Sequence, residues 1–151
     1  MTLAAGFESN LLTGLAVYLA AGGIEATYRT SGVYTALETG IVLGNVPQAP
    51  DRVITLTVYG SDDDPALSDS EVSVQVRCRA QGADKRLVDD LDSAIFNLID
   101  AKLAWTLSTG VYIVQCQRKS GPAPLGQDGN SRWSVSSNYA VTVHRPSMYR
   151  T

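Results

Sequence analysis

"SEVSVQVRCRA", Ser70 to Ala80, alternates polar and apolar residues from Glu71 to its end. Successive side chains of a strand point to opposite faces, so Val72, Val74, Val76 and Cys78 share one side while Ser73, Gln75, Arg77 and Arg79 share the other. A strand of this kind buries one face in a core and gives the other to water or a partner. The sheet built around it is therefore expected to be one-sided, with helices covering its apolar face.

Working outward, "DRVITLTVYGSD" sets Ile54, Leu56 and Val58 against Thr55, Thr57 and Tyr59, and "TGIVLGNVP" is a short apolar run stopped by Pro47. These read as two strands joined through Pro47 to Arg52. Further on, "GVYIVQCQR" and "RWSVSSNYAVTVHR" read as two more strands, and Ile24 to Thr39 as a short strand with a loop. Phe7, Leu11, Leu12, Leu15 and Leu19 recur at helical spacing before Gly22 and Gly23 end the pattern. A second helix is expected from about Asp84 to Asp100, with Asp84 at its start and Leu87, Leu91, Ile95 and Leu98 as its apolar stripe. Asp89, Asp90 and Asp92 are placed on its other faces. Helix, strands, helix, strands gives an α+β fold, a mixed and mostly antiparallel sheet packed against two helices. The 151 residues suit one domain, 1–151, with no repeat or change of composition to divide it.

Hydrophobic residues make up 44% of the chain and charged residues 18%, which is too apolar for a disordered protein and sparse in charge for a free monomer. A net charge of −3 speaks against a protein that grips nucleic-acid phosphates. No secretory leader is visible, and "LLTGLAVYLAAGG" is too short and interrupted to span a bilayer, so a soluble protein made in the cytoplasm, without a membrane partner, is expected. Cys78 and Cys116 lie in separate strands with no metal-binding spacing; whether they pair is left open.

Few residues here carry chemistry. "SDDDP", Ser61 to Pro65, lacks the alternating acidic positions of a calcium loop and reads as a solvated turn. His144 is the only histidine, and no G-x-S-x-G elbow accompanies it. "KSGPAPLGQDGNSR", Lys119 to Arg132, is rich in glycine but ends in a strand and lacks the GK[ST] of a phosphate loop. No catalytic residue, cofactor or metal is expected. Lys119 to Arg132 reads instead as a long loop between the last two strands, anchored by Trp133, and loops beyond about 12–15 residues usually touch something.

"IVLGNVPQAPDRVITLTVY", and "SGPAPLGQDGNSRW" followed by "SSNYAVTVHRP", carry a resemblance. With "DDLDSAIFNLI" between them, they make the chain similar, over nearly its whole length, to the tail terminator (minor capsid) proteins of long-tailed bacteriophages of actinobacterial hosts. The resemblance implies a non-enzymatic virion protein. It would form a hexameric ring on the head-proximal end of the tail tube, end tube growth and supply the docking surface for the head connector. Its partners would be its own copies, the tail tube protein and the head-tail connector proteins, with DNA passing through the ring without sequence-specific binding. On that reading Arg118, Lys119, Pro122, Pro124, Leu125, Gln127, Asp128 and Arg132 form a partner-binding arm, with Arg118, Lys119 and Arg132 at its base. Asp62, Asp63 and Asp64 form an acidic turn facing the channel. Another head-tail connector component, a tail tube subunit, and a small hydrolase using His144 stand as alternatives.

Overall fold

The computed structural model describes residues 3–150. In chain order the elements are α1 (Phe7–Ala20), β1 (Ala26–Tyr28), β2 (Thr39–Leu43), β3 (Val53–Asp63), β4 (Asp69–Gln81), α2 (Arg86–Ile99), β5 (Leu103–Thr106), β6 (Tyr112–Gln127) and β7 (Arg132–His144). All seven strands form one sheet in the order β1-β2-β3-β4-β7-β6-β5. β1 to β3 run parallel and every other pairing is antiparallel, so the sheet is mixed and the fold α+β.

The fold-deciding strand, β4, pairs with β7 along its whole length, from Asp69 opposite His144 to Gln81 opposite Arg132. Register then assigns every side chain to a face. Val72, Val74, Val76 and Cys78 lie beside Val141, Tyr139, Ser137 and Val135, and both helices pack on this side through Leu11, Leu15, Leu19, Val88, Ile95 and Ile99. Each such apolar side chain contributes about 1.5–3 kcal/mol on burial. The opposite face carries Ser73, Gln75, Arg77, Ser136, Asn138 and Thr142 and has no helix over it.

Four expectations change. The stripe of α2 is rotated by one residue: Val88, Asp92, Ile95 and Ile99 are buried, while Leu87 is 52% exposed. Both stripes have helical spacing, and the sequence favours the one without a charge. Asp92 sits in the interior because Ser137 and Arg118 meet its carboxylate.

Arg79, expected on the open face in water, is buried instead. β2 and β3 are parallel neighbours, so residues 44–52 must carry the chain back over the sheet, and they do so across the helix-free face above Arg79 and Val53. This loop has carbonyls to satisfy. Arg79 donates to Asp51 O at 3.1 Å, Pro47 O at 2.7 Å and Pro50 O at 2.7 Å, using the fixed fork of its guanidinium. Burial, and next the nearby Arg132, pull the Arg79 pKa below its ordinary value.

The long loop between the last two strands is mostly strand. β6 continues to Gln127, and only Asp128 to Ser131 turn the chain, closed by Asp128 N to Arg132 O at 3.0 Å. Shifts of register at Arg118/Ser120, Ser120/Ala123 and Pro124/Gly126 erase the two-residue period, which is why the stretch reads as irregular. Prolines are tolerated because β5 pairs with β6 only as far as Gln115, leaving the outer half an edge. Arg132 therefore lies near the tip of the hairpin rather than at its base.

The acidic run changes in the same way. β3 extends to Asp63, so Asp62 and Asp63 stand in the ladder opposite Glu71 and Ser70, and only Asp64 enters the turn.

The cysteine question also closes. Cys78 is level with Val135 and Cys116 with Val141, six residues apart along β7. At about 3.3 Å per residue that offset is roughly 20 Å, far beyond the reach of a disulfide. Both thiols are free and buried.

Replacing Arg79 by Met keeps the apolar stem and removes the donors. Chemical denaturation should show a loss of about 3 kcal/mol of unfolding free energy, because carbonyls of the β2–β3 crossover lose their partners on a largely buried surface.

Candidate functional site

Beyond Ser120, β6 pairs only with β7 and forms a free edge of the sheet, ending in the turn of the β6–β7 hairpin. Residues 119–131 of this arm include exposed Lys119, Pro122, Pro124, Leu125 and Gln127. Pro122 and Pro124 have no N–H, and the bulges break the ladder spacing, so the rail is a poor template for adding another strand. What it offers a neighbour is side chains. The arm is held close at Gly121, whose φ is +100° and where a Cβ would come 2.6 Å from Ser136 O. Asn138 Nδ2 donates to Ser120 Oγ at 2.9 Å just below that point.

Both ends of the arm are tied by ion pairs. At its base the Arg118 guanidinium lies 4.2 Å from the Phe96 ring centroid and 3.4 Å from Asp92 Oδ2, and Arg118 N donates to Asp100 Oδ1 at 2.7 Å. Ser137 Oγ donates to Asp92 Oδ1 at 2.8 Å. Burial raises the Asp92 pKa above its ordinary value, outweighing the lowering effects of Ser137 and Arg118. At the tip, Asp128 accepts from Asn130 N at 2.9 Å and from Arg132 N at 3.1 Å and Nε at 2.8 Å. Desolvation opposes these bonds, but together they hold the Asp128 carboxyl below its ordinary value. Arg132 Nη1 also donates to Gln48 O at 2.5 Å, so the tip leans on the same crossover loop that Arg79 holds.

The structure thus sorts the arm residues by role. Arg118, Asp128 and Arg132 are committed to internal partners, whereas Lys119, Pro122, Pro124, Leu125 and Gln127 face outward. Trp133 anchors the arm through Nε1 to Gly82 O at 3.0 Å. Sequence reasoning missed Asp92; its place four residues after Val88 and three before Ile95 was the available signal.

The acidic residues do not converge. Asp62 and Asp63 are successive strand residues on opposite faces, and Asp64 Oδ1 accepts from Ala66 N at 2.8 Å. Hydroxyl hydrogen bonds from Ser70 and Ser61, with a smaller contribution from the Arg150 charge, hold Asp63 below its ordinary value. Among the described residues no group of three His, Cys, Asp or Glu side chains gathers as metal ligands. At His144, Asp69 Oδ1 and Ser68 Oγ lie 3.1 Å and 3.3 Å from the same nitrogen, Nδ1. A proton relay needs the carboxylate and the hydroxyl on different ring nitrogens, so this trio is not arranged as a hydrolase triad.

A family model described as bacteriophage tail terminator protein matches residues 18–145, a span holding all seven strands and α2. The chain belongs to the bacteriophage tail terminator protein family. No curated protein matches this tail terminator. One solved structure of 12% identity aligns with 87% of the tail terminator and 90% of its own chain at a TM-score of 0.46, a likeness that carries no argument about function. Among the described residues no helix is long and apolar enough to cross a membrane.

Two outcomes follow for this tail terminator. Gly121→Ala should cost about 2 kcal/mol in denaturant unfolding, since it combines a left-handed backbone with a backbone clash. Asp92, with its folded pKa raised, binds its proton more tightly in the folded chain, so its contribution to stability falls as pH rises from about 3.8 through the raised value. Urea midpoints of Asp92→Asn measured against pH should lack that decline relative to wild type, while the opposite slopes from Asp63 and Asp128 persist in both.

Proposed function

We propose that this protein forms a hexameric ring on the head-proximal end of the tail tube of a long-tailed phage of an actinobacterial host. The ring stops tube growth and presents the docking surface for the head connector proteins. The family match over residues 18–145 is the observation that carries this reading; the sequence resemblance supplies the host and the six-fold ring. The protein acts by shape and contact, is assembled in the host cytoplasm and ends in the virion.

The architecture supports a ring in a physical sense. Closed cyclic assemblies larger than a dimer use heterologous contacts, in which one patch of a subunit meets a different patch of the next. This chain has two unlike flanks. One is the arm, with Leu125 49% exposed beside Pro122 and Pro124. The other is the β1 edge, where a cleft of about 330 Å³ is lined by Ile24, Leu37, Leu87 and Leu91. In this reading the arm meets the neighbour, the tube or the connector, and the turn at Asp64, which closes the β3–β4 hairpin, faces the channel, where negative charge lets DNA slide without adhering.

Removing Gly121 to Gly129 tests the arm, because β7 keeps its full ladder with β4. In the phage encoding it, the shortened protein should leave heads and tails unjoined and tails longer than normal, counted by electron microscopy. Normal joining and normal tail length would exclude the arm from the assembly.

A further inference from the structure

The helix-free sheet face carries an unresolved electrostatic pattern. Of the 12 lysines and arginines in the chain, Arg77 is the one whose side chain, among the described residues, makes no hydrogen bond, ion pair or cation–π contact. Its Nε is buried without a partner. Directly opposite in the β3–β4 ladder is Thr55, 2% exposed, whose Oγ1 is also without a partner. Buried polar groups are normally satisfied; Thr55 is closed over by its own chain, whereas Arg77 is only half-buried, so its unpaired charge is what this face offers a partner.

The complementary half lies on the same face. Asp62 and Glu71 are directly opposite each other near the closed end of the β3–β4 hairpin, both exposed, and neither has a cation among the described residues. Like charges placed so are mutually destabilising. Arg77 and Glu71 are six residues apart on one strand, about 20 Å, so one chain cannot bring its own halves together.

We infer that Arg77 of one copy docks between Asp62 and Glu71 of the next, pairing the helix-free face of one subunit with the acidic hairpin end of its neighbour. Arg suits this task because its planar fork bonds carboxylates in two-point fashion. Gln75 and Asn138, paired and half-buried on the same face, supply further neutral hydrogen-bonding groups. A nucleic-acid backbone is the weaker fit, since phosphate binding draws on several free cations and this face offers one. The inference rests on the ring reading, because it supplies one of the ring's contacts.

The test uses charge reversal on the full chain. Wild type, Arg77→Glu, and the double variant Asp62→Lys with Glu71→Lys are compared by analytical ultracentrifugation up to millimolar concentration, with circular dichroism and melting as checks of folding. Arg77→Gln replaces Arg77→Glu if the latter fails to fold. Each variant alone should associate at least about tenfold more weakly than wild type. An equimolar mixture of the two should regain wild-type association, since every contact in an alternating assembly is again between opposite charges. Variants that assemble as wild type does would overturn the inference and leave the ring standing. A dimer broken and restored by the same variants would keep the contact and overturn the ring. A wild-type chain monomeric throughout would overturn the contact, and so would normal association combined with a loss of retention on duplex DNA in Arg77→Gln.

Discussion

Because β4 and β7 pair along their full lengths without a bulge, the pleat of these two central strands sorts the molecule into a dry side and a wet side. Both helices follow from that sorting. The rows formed by Val72, Val74, Val76 and Cys78 with Val141, Tyr139 and Val135 are the apolar floor under α2, and α1 packs on the same side against β1, β2 and β3. A shift of one residue in this register would turn the floor outward and put Arg77, Gln75 and Asn138 under the helices. The outer strands then take their places from this central pair.

Two charged residues break the sorting, and each secures an irregular piece of the fold. Arg79 belongs by parity to the wet side, yet the β2–β3 crossover closes over it and uses its donors in place of a strand partner. Asp92 belongs by composition to solvent, yet it lies beneath the arm, where Ser137 and Arg118 hold it. Such sites are costly to disturb because the remaining partner is left buried without a counterpart. Through Arg132, whose guanidinium reaches both Asp128 and Gln48, the hairpin tip and the crossover loop are braced together. The arm is thus a stiff sheet edge rather than a free loop, and a stiff edge loses less conformational entropy when it docks.

The regular parts of the molecule are legible in the sequence. Alternation from Val72 to Cys78 and helical spacing from Leu11 to Leu19 are repeated local signals, and each survives in the structure. Signals fade where non-local pairing overrides local pattern. The stretch from Ser120 to Gln127 looks like loop because of its glycines and prolines, but β7 offers it a ladder and the bulges absorb the misfit. The stripe of α2 was ambiguous by one residue, since only the partner at Ser137 makes a buried Asp92 acceptable. Arg79 was misplaced for a similar reason: parity predicts a face, and nothing local announces that a loop will cover it. The tail terminator resemblance, by contrast, was carried by the crossover and arm sequences, the two irregular pieces that the buried arginines tie together.

A protein of this kind acts through where it sits and what it touches, so its position in an assembled particle tests the account most directly. Cryo-electron microscopy of the virion, with the chain located by its fold, reads both copy number and height along the tail axis. The account predicts a single ring of six copies between the last tube layer and the head connector. Copies repeating along the tube, or a position within the capsid shell, would contradict it.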